Sequence, residues 1–230
     1  MKLSVIIPCF NEQDTVAVIL DRVKNEKTIE KEIIVVDDSS TDNSRKILEN
    51  YKKDNEIKLI LNDQNKGKGY SVKQGLKEAT GDIILIQDAD LEYSPSDYNN
   101  LIEPILNNHA DVVYGSRFVG AQETRVLYFW HTIGNKFLTL LSNMFTNLNL
   151  TDMECCYKVF KKDVIKNINF KENRFGFEPE VTAKISKKNL KIYEVGVKYF
   201  GRKYEEGKKI TWKDGLAAIY FIIYYNLKKN

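Results

Sequence analysis

The chain has 230 residues, of which 43% are apolar and 29% are charged. This balance is typical of a globular protein and excludes an intrinsically disordered chain. Its 35 Lys and Arg against 32 Asp and Glu leave a formal net charge of +3, which is too small to indicate a nucleic-acid partner.

Cysteine content and hydropathy together favour a cytoplasmic protein. Cys9, Cys155 and Cys156 are too few for a disulfide framework and favour reduced, buried thiols. No signal peptide is recognisable at the first residues. The longest apolar run near the C-terminus, Leu216 to Tyr225, is far shorter than the roughly 20 residues of a membrane-spanning helix.

In chain order, the first part of the sequence alternates short apolar runs with amphipathic segments. It predicts strands over 3–8, 32–36, 57–61 and 83–86, and helices over 11–23, 44–52 and 70–79. These strands are apolar throughout, which is typical of a mostly parallel sheet with helices on both faces. The sequence therefore predicts an α/β fold.

The second part of the sequence continues this fold with longer helices. The predicted elements are a strand over 112–115, a helix over 129–145, an acidic loop over 147–158, a helix over 177–186, a strand over 192–199 and a helix over 211–227. No Pro- or Gly-rich linker divides the chain. We therefore predict one domain over 1–210 and an amphipathic helical extension over 211–230.

Acidic residues follow two of the predicted strands. Asp37 and Asp38 end the second strand, and Asp88-Ala89-Asp90 follows the fourth. Ligands bind outside the carboxyl ends of parallel strands, so we expect the site here and at Pro8. Asp37 could accept hydrogen bonds from a base or a ribose, whereas Asp38 could instead be a helix cap.

The segment Asp88-Ala89-Asp90-Leu91-Glu92 predicts a divalent metal site. The carboxylates of Asp88, Asp90 and Glu92 recur at alternate positions directly after a buried strand. Mg²⁺ and Mn²⁺ prefer such oxygen ligands. The spacing also fits a solvated turn, but its position at the ligand edge of the sheet favours the metal.

Three basic segments are candidate phosphate sites. Lys66-Gly67-Lys68-Gly69 lacks the spacing of a P-loop and fits either a phosphate-contacting loop or a plain turn. Arg117 follows the fifth predicted strand, and Arg202 and Lys208 belong to a basic segment near two glycines. Arg and Lys here could bind phosphates, and a solvated surface is the alternative.

Taken together, these motifs resemble the family 2 glycosyltransferases, and most closely their dolichol-phosphate mannose synthase and polyprenyl-phosphate glycosyltransferase branch. The resemblance covers about residues 1–215. The segments that carry it are Val5 to Glu12, Ile34 to Asp42, Asn65 to Gly69, Asp88 to Asp90, Gly115 to Phe118, and Thr151 to Phe160.

The resemblance implies a GT-A (Rossmann-like) fold and inverting transfer from a nucleotide-sugar donor. It implies a nucleotide pocket, Mg²⁺ or Mn²⁺ on the donor diphosphate, a basic acceptor site and a basic closing loop. The nucleotide pocket would be lined by Pro8, Phe10, Glu12, Val36, Asp37, Asp88 and Ala89. The metal would be held by Asp90 and Glu92, and the acceptor phosphate would contact Arg117. The closing loop would contain Arg202 and Lys208.

The segment 151–158 departs from the branch, which often has Gly and Arg where this chain has Cys156 and Lys158. Two acceptors therefore stay open. A polyprenyl phosphate is already anionic and needs only Arg117 for positioning. A glycan hydroxyl needs a base, for which Asp152 or Glu154 is the candidate.

The C-terminal segment predicts either a membrane-surface helix or a helix packed on the domain. Residues 183–230 contain 12 Lys and Arg against 4 Asp and Glu, interleaved with aromatic residues. This pattern favours peripheral contact with the inner face of the cell membrane.

Two other functions fit the sequence less well than the transferase. A signalling receiver domain shares an acidic pocket, but a strand and a helix precede the acidic strand here. A non-catalytic sugar-nucleotide binder is disfavoured by the acidic segment and Arg117.

Overall fold

The computed structural model describes residues 1–54, 56–120, 123–126, 128–207 and 212–228. Seven strands within these residues form one sheet in the order β3-β2-β1-β4-β6-β5-β7. Their bounds are Leu3–Cys9 (β1), Lys31–Asp37 (β2), Lys58–Leu61 (β3), Ile83–Ile86 (β4), Val112–Ser116 (β5), Lys158–Lys161 (β6) and Ile192–Gly196 (β7).

The sheet is mostly parallel, as predicted. β1 pairs in parallel with β2 and β4, β2 with β3, and β5 with β7. Successive side chains of a strand point to opposite faces, and six of the seven residues of β1 are buried. Both faces of the sheet are therefore covered at its centre.

Helices fill the connections between the strands. α1 turns its buried face, formed by Val16, Ile19, Leu20 and Val23, toward the core. The helix bounds are Val16–Asn25 (α1), Ser44–Lys53 (α2), Lys68–Glu78 (α3), Tyr98–Leu106 (α4), Phe129–Thr146 (α5), Lys162–Lys166 (α6), Phe177–Ser186 (α7) and Trp212–Leu227 (α8).

Among the strands and α-helices of the described residues, β6, α4 and α6 are not predicted from the sequence. β6 has lysine at both ends, yet Lys158 is fully buried. Its ammonium donates to the backbone carbonyl oxygens of Met153, at 3.0 Å, and of Cys155. A buried cation satisfied by backbone carbonyls gives no apolar signal in the sequence.

The direction of β6 shapes the site. β6 is antiparallel to both β4 and β5, so its first residue lies at the edge where those strands end. The preceding segment, residues 151–157, therefore runs along the carboxyl edge of the sheet, beside Arg117.

The predicted strand over 192–199 is shorter in the structure, because β7 ends at Gly196. Beyond it, Tyr199 forms isolated bridges with Tyr93 and Thr124. These bridges carry the chain across the carboxyl edge toward Arg202.

The helix predicted over 211–227 is present as α8, and it packs against α5 and α7. Ile222 and Tyr225 are buried in this contact, whereas Leu216, Tyr220 and Leu227 are more than half exposed. α8 therefore has both a packed side and an exposed apolar side. Among the described residues, no helix is both long enough and apolar enough to cross a membrane.

Candidate active site

A cavity of about 860 Å³ opens at the carboxyl edge of the sheet. It brings together most of the residues that the sequence predicted for the site. The predicted residues that line it include Pro8, Phe10, Glu12, Asp88, Ala89, Asp90, Glu92, Arg117, Glu154 and Arg202. Lys208 lies outside the described residues.

Arg202 holds the acidic segment together. Its guanidinium lies 2.8 Å from Asp90, 3.2 Å from Glu12 and 3.5 Å from Glu92, measured from nitrogen to carboxylate oxygen. The backbone N–H of Arg202 also donates to Glu92 at 2.8 Å. One cation is thus shared among three carboxylates.

The carboxyl group of Asp90 is held in an unfavourable environment for its charge. Burial, followed by the negative charges of Asp88 and Glu92, raises its pKa to about 7, against the opposing effect of Arg202. More positive charge at this point would stabilise the ionised carboxylates.

The residues present fit a hard divalent cation. Within the described part of the chain, no preformed cluster of three His, Cys, Asp or Glu side chains has metal-binding geometry. Asp88, Asp90 and Glu92 nevertheless supply the oxygen donors that Mg²⁺ and Mn²⁺ prefer, and burial together with the charges of Asp88 and Glu92 raises the pKa of Asp90. A metal at these oxygens would compete with Arg202.

Asp37 and Val36 do not line the cavity. The Asp37 carboxylate is fully buried and pairs with Arg45 at 2.8 Å. Asp38 does line it, and accepts from the backbone N–H groups of Lys66, at 3.1 Å, and Gly67, at 2.6 Å. Asp38 therefore orders the Lys66–Gly67 loop and does not cap α2, whose cap residue is Asn43.

Lys68 is a functional candidate that the sequence left undecided between a phosphate loop and a turn. Its ammonium lies 3.0 Å from Asp88 and 3.0 Å from Glu178. Burial alone would lower its pKa, but the charges of these carboxylates outweigh burial and raise the pKa well above its ordinary value. Lys68 is therefore a permanent cation in the cavity wall.

Arg117 and Asp152 form a two-point ion pair. The Arg117 Nε donates to Oδ2 of Asp152 at 2.6 Å, and a terminal nitrogen donates to Oδ1 at 2.7 Å. Asp152 is fully buried and does not line the cavity, whereas Arg117 does. With both oxygens bonded to Arg117, Asp152 is placed to orient that side chain.

Comparison with known proteins supplies the family. The family model described as Glycosyl transferase family 2 matches residues 4–168. The chain is 29% identical to a dolichol-phosphate mannosyltransferase of Pyrococcus furiosus, over 91% of this chain and 61% of that protein. It is 26% identical to a UDP-N-acetylglucosamine–dolichyl-phosphate N-acetylglucosaminyltransferase of Methanococcus voltae, over 97% of this chain and 96% of that protein.

A solved structure supplies the fold. The structure of glucosyl-3-phosphoglycerate synthase from Mycobacterium tuberculosis, in complex with Mn²⁺, UDP and phosphoglyceric acid, matches with a TM-score of 0.78 at 17% identity. The match covers all of this chain and 80% of that one. At this identity the likeness concerns the fold alone, and it confirms the predicted GT-A architecture.

Proposed function

The chain belongs to glycosyl transferase family 2, and from that premise we propose that it is a metal-dependent, inverting hexosyltransferase. It moves a sugar from a UDP- or GDP-sugar to a polyprenyl phosphate at the cytoplasmic face of the membrane. The observation that carries this proposal is that Arg117 faces the same cavity as the acidic segment. A cationic acceptor site would thus share one cavity with a metal-type donor site.

The donor side rests on Asp88, Asp90 and Glu92. A Mg²⁺ or Mn²⁺ ion held by these residues would neutralise the charge that develops on the leaving diphosphate. The Mn²⁺ and UDP in the complex of the Mycobacterium tuberculosis enzyme support this assignment. Arg202, once released from Asp90, can reach a phosphate from the same position.

The acceptor side rests on Arg117. A polyprenyl phosphate is already an anion, so its oxygen attacks the anomeric carbon as the bond to the diphosphate breaks, and no base is needed. Arg117 binds and orients that phosphate. The names of the Pyrococcus and Methanococcus relatives, which refer to dolichol phosphate, support this acceptor.

A lipid acceptor also accounts for the apolar residues at the cavity mouth. Trp130 is 77% exposed, Phe137 53% and Leu216 57%, and all three line the cavity. Exposed apolar groups of this size mark an interaction surface. We propose that this surface of α5 and α8 rests in the membrane interface and admits the lipid.

Pelleting with anionic liposomes tests this contact. We expect the full chain to bind, and the W130A/F137A double variant to bind at least fivefold more weakly because it loses apolar insertion. The V18A variant, which truncates an exposed valine of α1, is the matched control. Equal binding by all three proteins would contradict the proposal.

A glycan hydroxyl is the second candidate acceptor, and Glu154 favours it. Glu154 lines the cavity, and burial, followed by the charge of Glu178, raises its pKa to about 7. A carboxyl group with that pKa suits a general base. Asp152 is less suited, because Arg117 holds both of its oxygens.

A transfer assay decides among these functions. The purified chain is given UDP- and GDP-sugars, Mg²⁺ or Mn²⁺, and either a short polyprenyl phosphate or a glycan. We expect sugar transfer to the lipid phosphate that is lost on removal of metal and in D90A, and kept in D163A, which changes an exposed aspartate. Donor binding without transfer to either acceptor would support a sugar-nucleotide binder, and no donor binding would contradict the proposal.

A further inference from the structure

Two carboxylates of the cavity wall each have one buried oxygen without a hydrogen-bond partner among the described residues. Glu178 is the second residue of α7 and is 5% exposed. One of its oxygens pairs with Lys68 at 3.0 Å. Its other oxygen, Oε2, has no partner among the described residues, and neither does the buried Oε1 of Glu154. Both residues line the cavity.

Glu180, two residues further along the same helix, shows how this protein treats a purely structural carboxylate. It is fully buried, and its oxygens accept from the backbone N–H groups of Lys171 at 2.8 Å and Glu172 at 2.7 Å and pair with Lys184. A buried carboxylate oxygen without a hydrogen bond is costly. The unpaired oxygens of Glu154 and Glu178 therefore indicate a ligand that donates to them.

The position of the pair identifies which part of a ligand reaches it. Lys68 bridges Glu178 to Asp88 at 3.0 Å on each side, so the pair adjoins the acidic segment that would hold the donor diphosphate. Arg117, which would hold the acceptor phosphate, lines the same cavity. The group that lies next to both the donor diphosphate and the acceptor phosphate is the sugar being transferred.

We infer that Glu154 and Glu178 bind hydroxyl groups of the transferred sugar and select neutral hexoses against uronic acids. This inference rests on the proposed function. A sugar hydroxyl donates to a carboxylate oxygen and satisfies it. A sugar carboxylate brings a third negative charge and no donor, and such like-charge contacts are a common means of rejecting a wrong substrate.

The electrostatic surroundings agree with this geometry. The pKa of Glu154 is raised to about 7 by burial and then by the charge of Glu178, although Lys158 and Arg117 oppose the effect. Burial and the charge of Glu178 therefore outweigh the two cations at Glu154. A carboxylate from a substrate would add a further negative charge to this environment.

Calorimetric titration of the full chain with matched donors tests the inference. The probes are UDP-glucose, UDP-glucuronic acid and UDP, together with GDP-mannose, GDP-mannuronic acid and GDP. We expect the wild type to bind the neutral donor at least tenfold more tightly than the uronic acid of the same nucleotide. E178Q and E154Q should each reduce this preference at least fivefold and change the affinity for UDP or GDP less than twofold.

Two further proteins keep the result interpretable. E178Q loses an ion pair with Lys68 and could misfold for that reason. E154Q changes a side chain that forms no ion pair with the described residues, so it tests the inference without that loss. E32Q changes a carboxylate far from the cavity that accepts from Thr80 and Gly81, and it should keep the wild-type preference. Thermal melting of each variant confirms that it is folded.

Several outcomes would overturn the inference. An unchanged preference in both E154Q and E178Q would do so, as would an equal loss of affinity for UDP or GDP alone. If the transfer assay of E154Q showed an equal fall in kcat for every donor, with an unchanged binding preference, Glu154 would be a base instead. A wild type that binds UDP or GDP sugars without preference overturns this inference alone, whereas one that binds no nucleotide at all overturns the proposed function.

Discussion

Two arginines face the same cavity, but the protein holds them in different ways. Among the described residues, the ion-pair partner of Arg117 is the fully buried Asp152, in two hydrogen bonds of 2.6 and 2.7 Å, and its guanidinium also lies over the ring of Tyr199. Arg202 is shared among Glu12, Asp90 and Glu92 at 2.8 to 3.5 Å. The first arrangement fixes a cation in place, and the second places a cation where another could replace it.

The difference matches the tasks that we propose for the two sites. An acceptor phosphate must be held in one orientation for attack, which a rigid bidentate pair achieves. A donor diphosphate arrives with a metal, so the residues that receive it must exchange one positive charge for another. Substitutions in either ion-pair cluster, that of Arg117 or that of Arg202, test this difference.

Among changes to the partners of the two arginines, the largest effect is expected from Asp152→Asn. The amide keeps the size of the carboxylate but loses its charge and one acceptor oxygen, so Arg117 loses its fixed orientation. We expect transfer to polyprenyl phosphate to fall about 100-fold, with donor affinity unchanged. The free energy of unfolding should fall by about 3 kcal/mol, since a buried ion pair loses one partner.

Asp111→Asn is the matched control for that variant. Asp111 pairs with Lys161 at 2.8 Å in a more exposed position, and it does not line the cavity. Its loss should cost under about 1 kcal/mol and leave transfer unchanged. Chemical denaturation and steady-state kinetics measure both quantities, and an equal effect of the two variants would remove the special role of the buried pair.

A smaller, opposite effect is expected from Arg202→Ala. Without its guanidinium, the carboxylates of Asp90 and Glu92 lose a competing cation, so Mn²⁺ should bind the nucleotide-free protein about tenfold more tightly. Transfer should nevertheless fall, because the diphosphate loses a cation. Calorimetric titration with MnCl₂ measures the affinity, and Arg22→Ala, in α1, is the control. Weaker Mn²⁺ binding in R202A would contradict the exchange.

The last expected effect is on stability, and it concerns pH and Glu154, which lines the same cavity. The folded-state pKa of Glu154 is raised to about 7, above its value in the unfolded chain, so the native protein binds more protons between about pH 4.5 and 7. The free energy of unfolding should therefore fall as the pH rises through that window. In E154Q, the fall in the free energy of unfolding across this window should be smaller by on the order of 2 kcal/mol. Chemical denaturation at several pH values measures it, and an identical pH profile in E154Q and the wild type would contradict the prediction.

The sequence predicts some strands and helices of this molecule accurately and misses others. The strand over 83–86 and the helix over 177–186 have the predicted bounds, because apolar runs and amphipathic spacing are local signals. β6 was missed because its buried lysine is satisfied by backbone carbonyls. A pattern of apolar residues does not contain that information.

The site shows the same limit. The acidic segment and Arg117 were predicted from the motifs, and the structure brings them to one cavity. The sequence could not predict that Arg202 would pair with Glu12, 190 residues away, or that Glu178 would leave one oxygen unpaired. Such features depend on which segments meet in three dimensions.

The measurement that tests the central claim most directly is transfer and donor binding by Arg117→Ala, with Arg117→Lys beside it. We predict that R117A transfers sugar to a short polyprenyl phosphate about 100- to 1000-fold more slowly, with donor affinity within twofold of the wild type, and that R117K recovers part of the rate. Loss of donor binding in R117A, or transfer at the wild-type rate, would contradict the assignment of Arg117 to the acceptor phosphate.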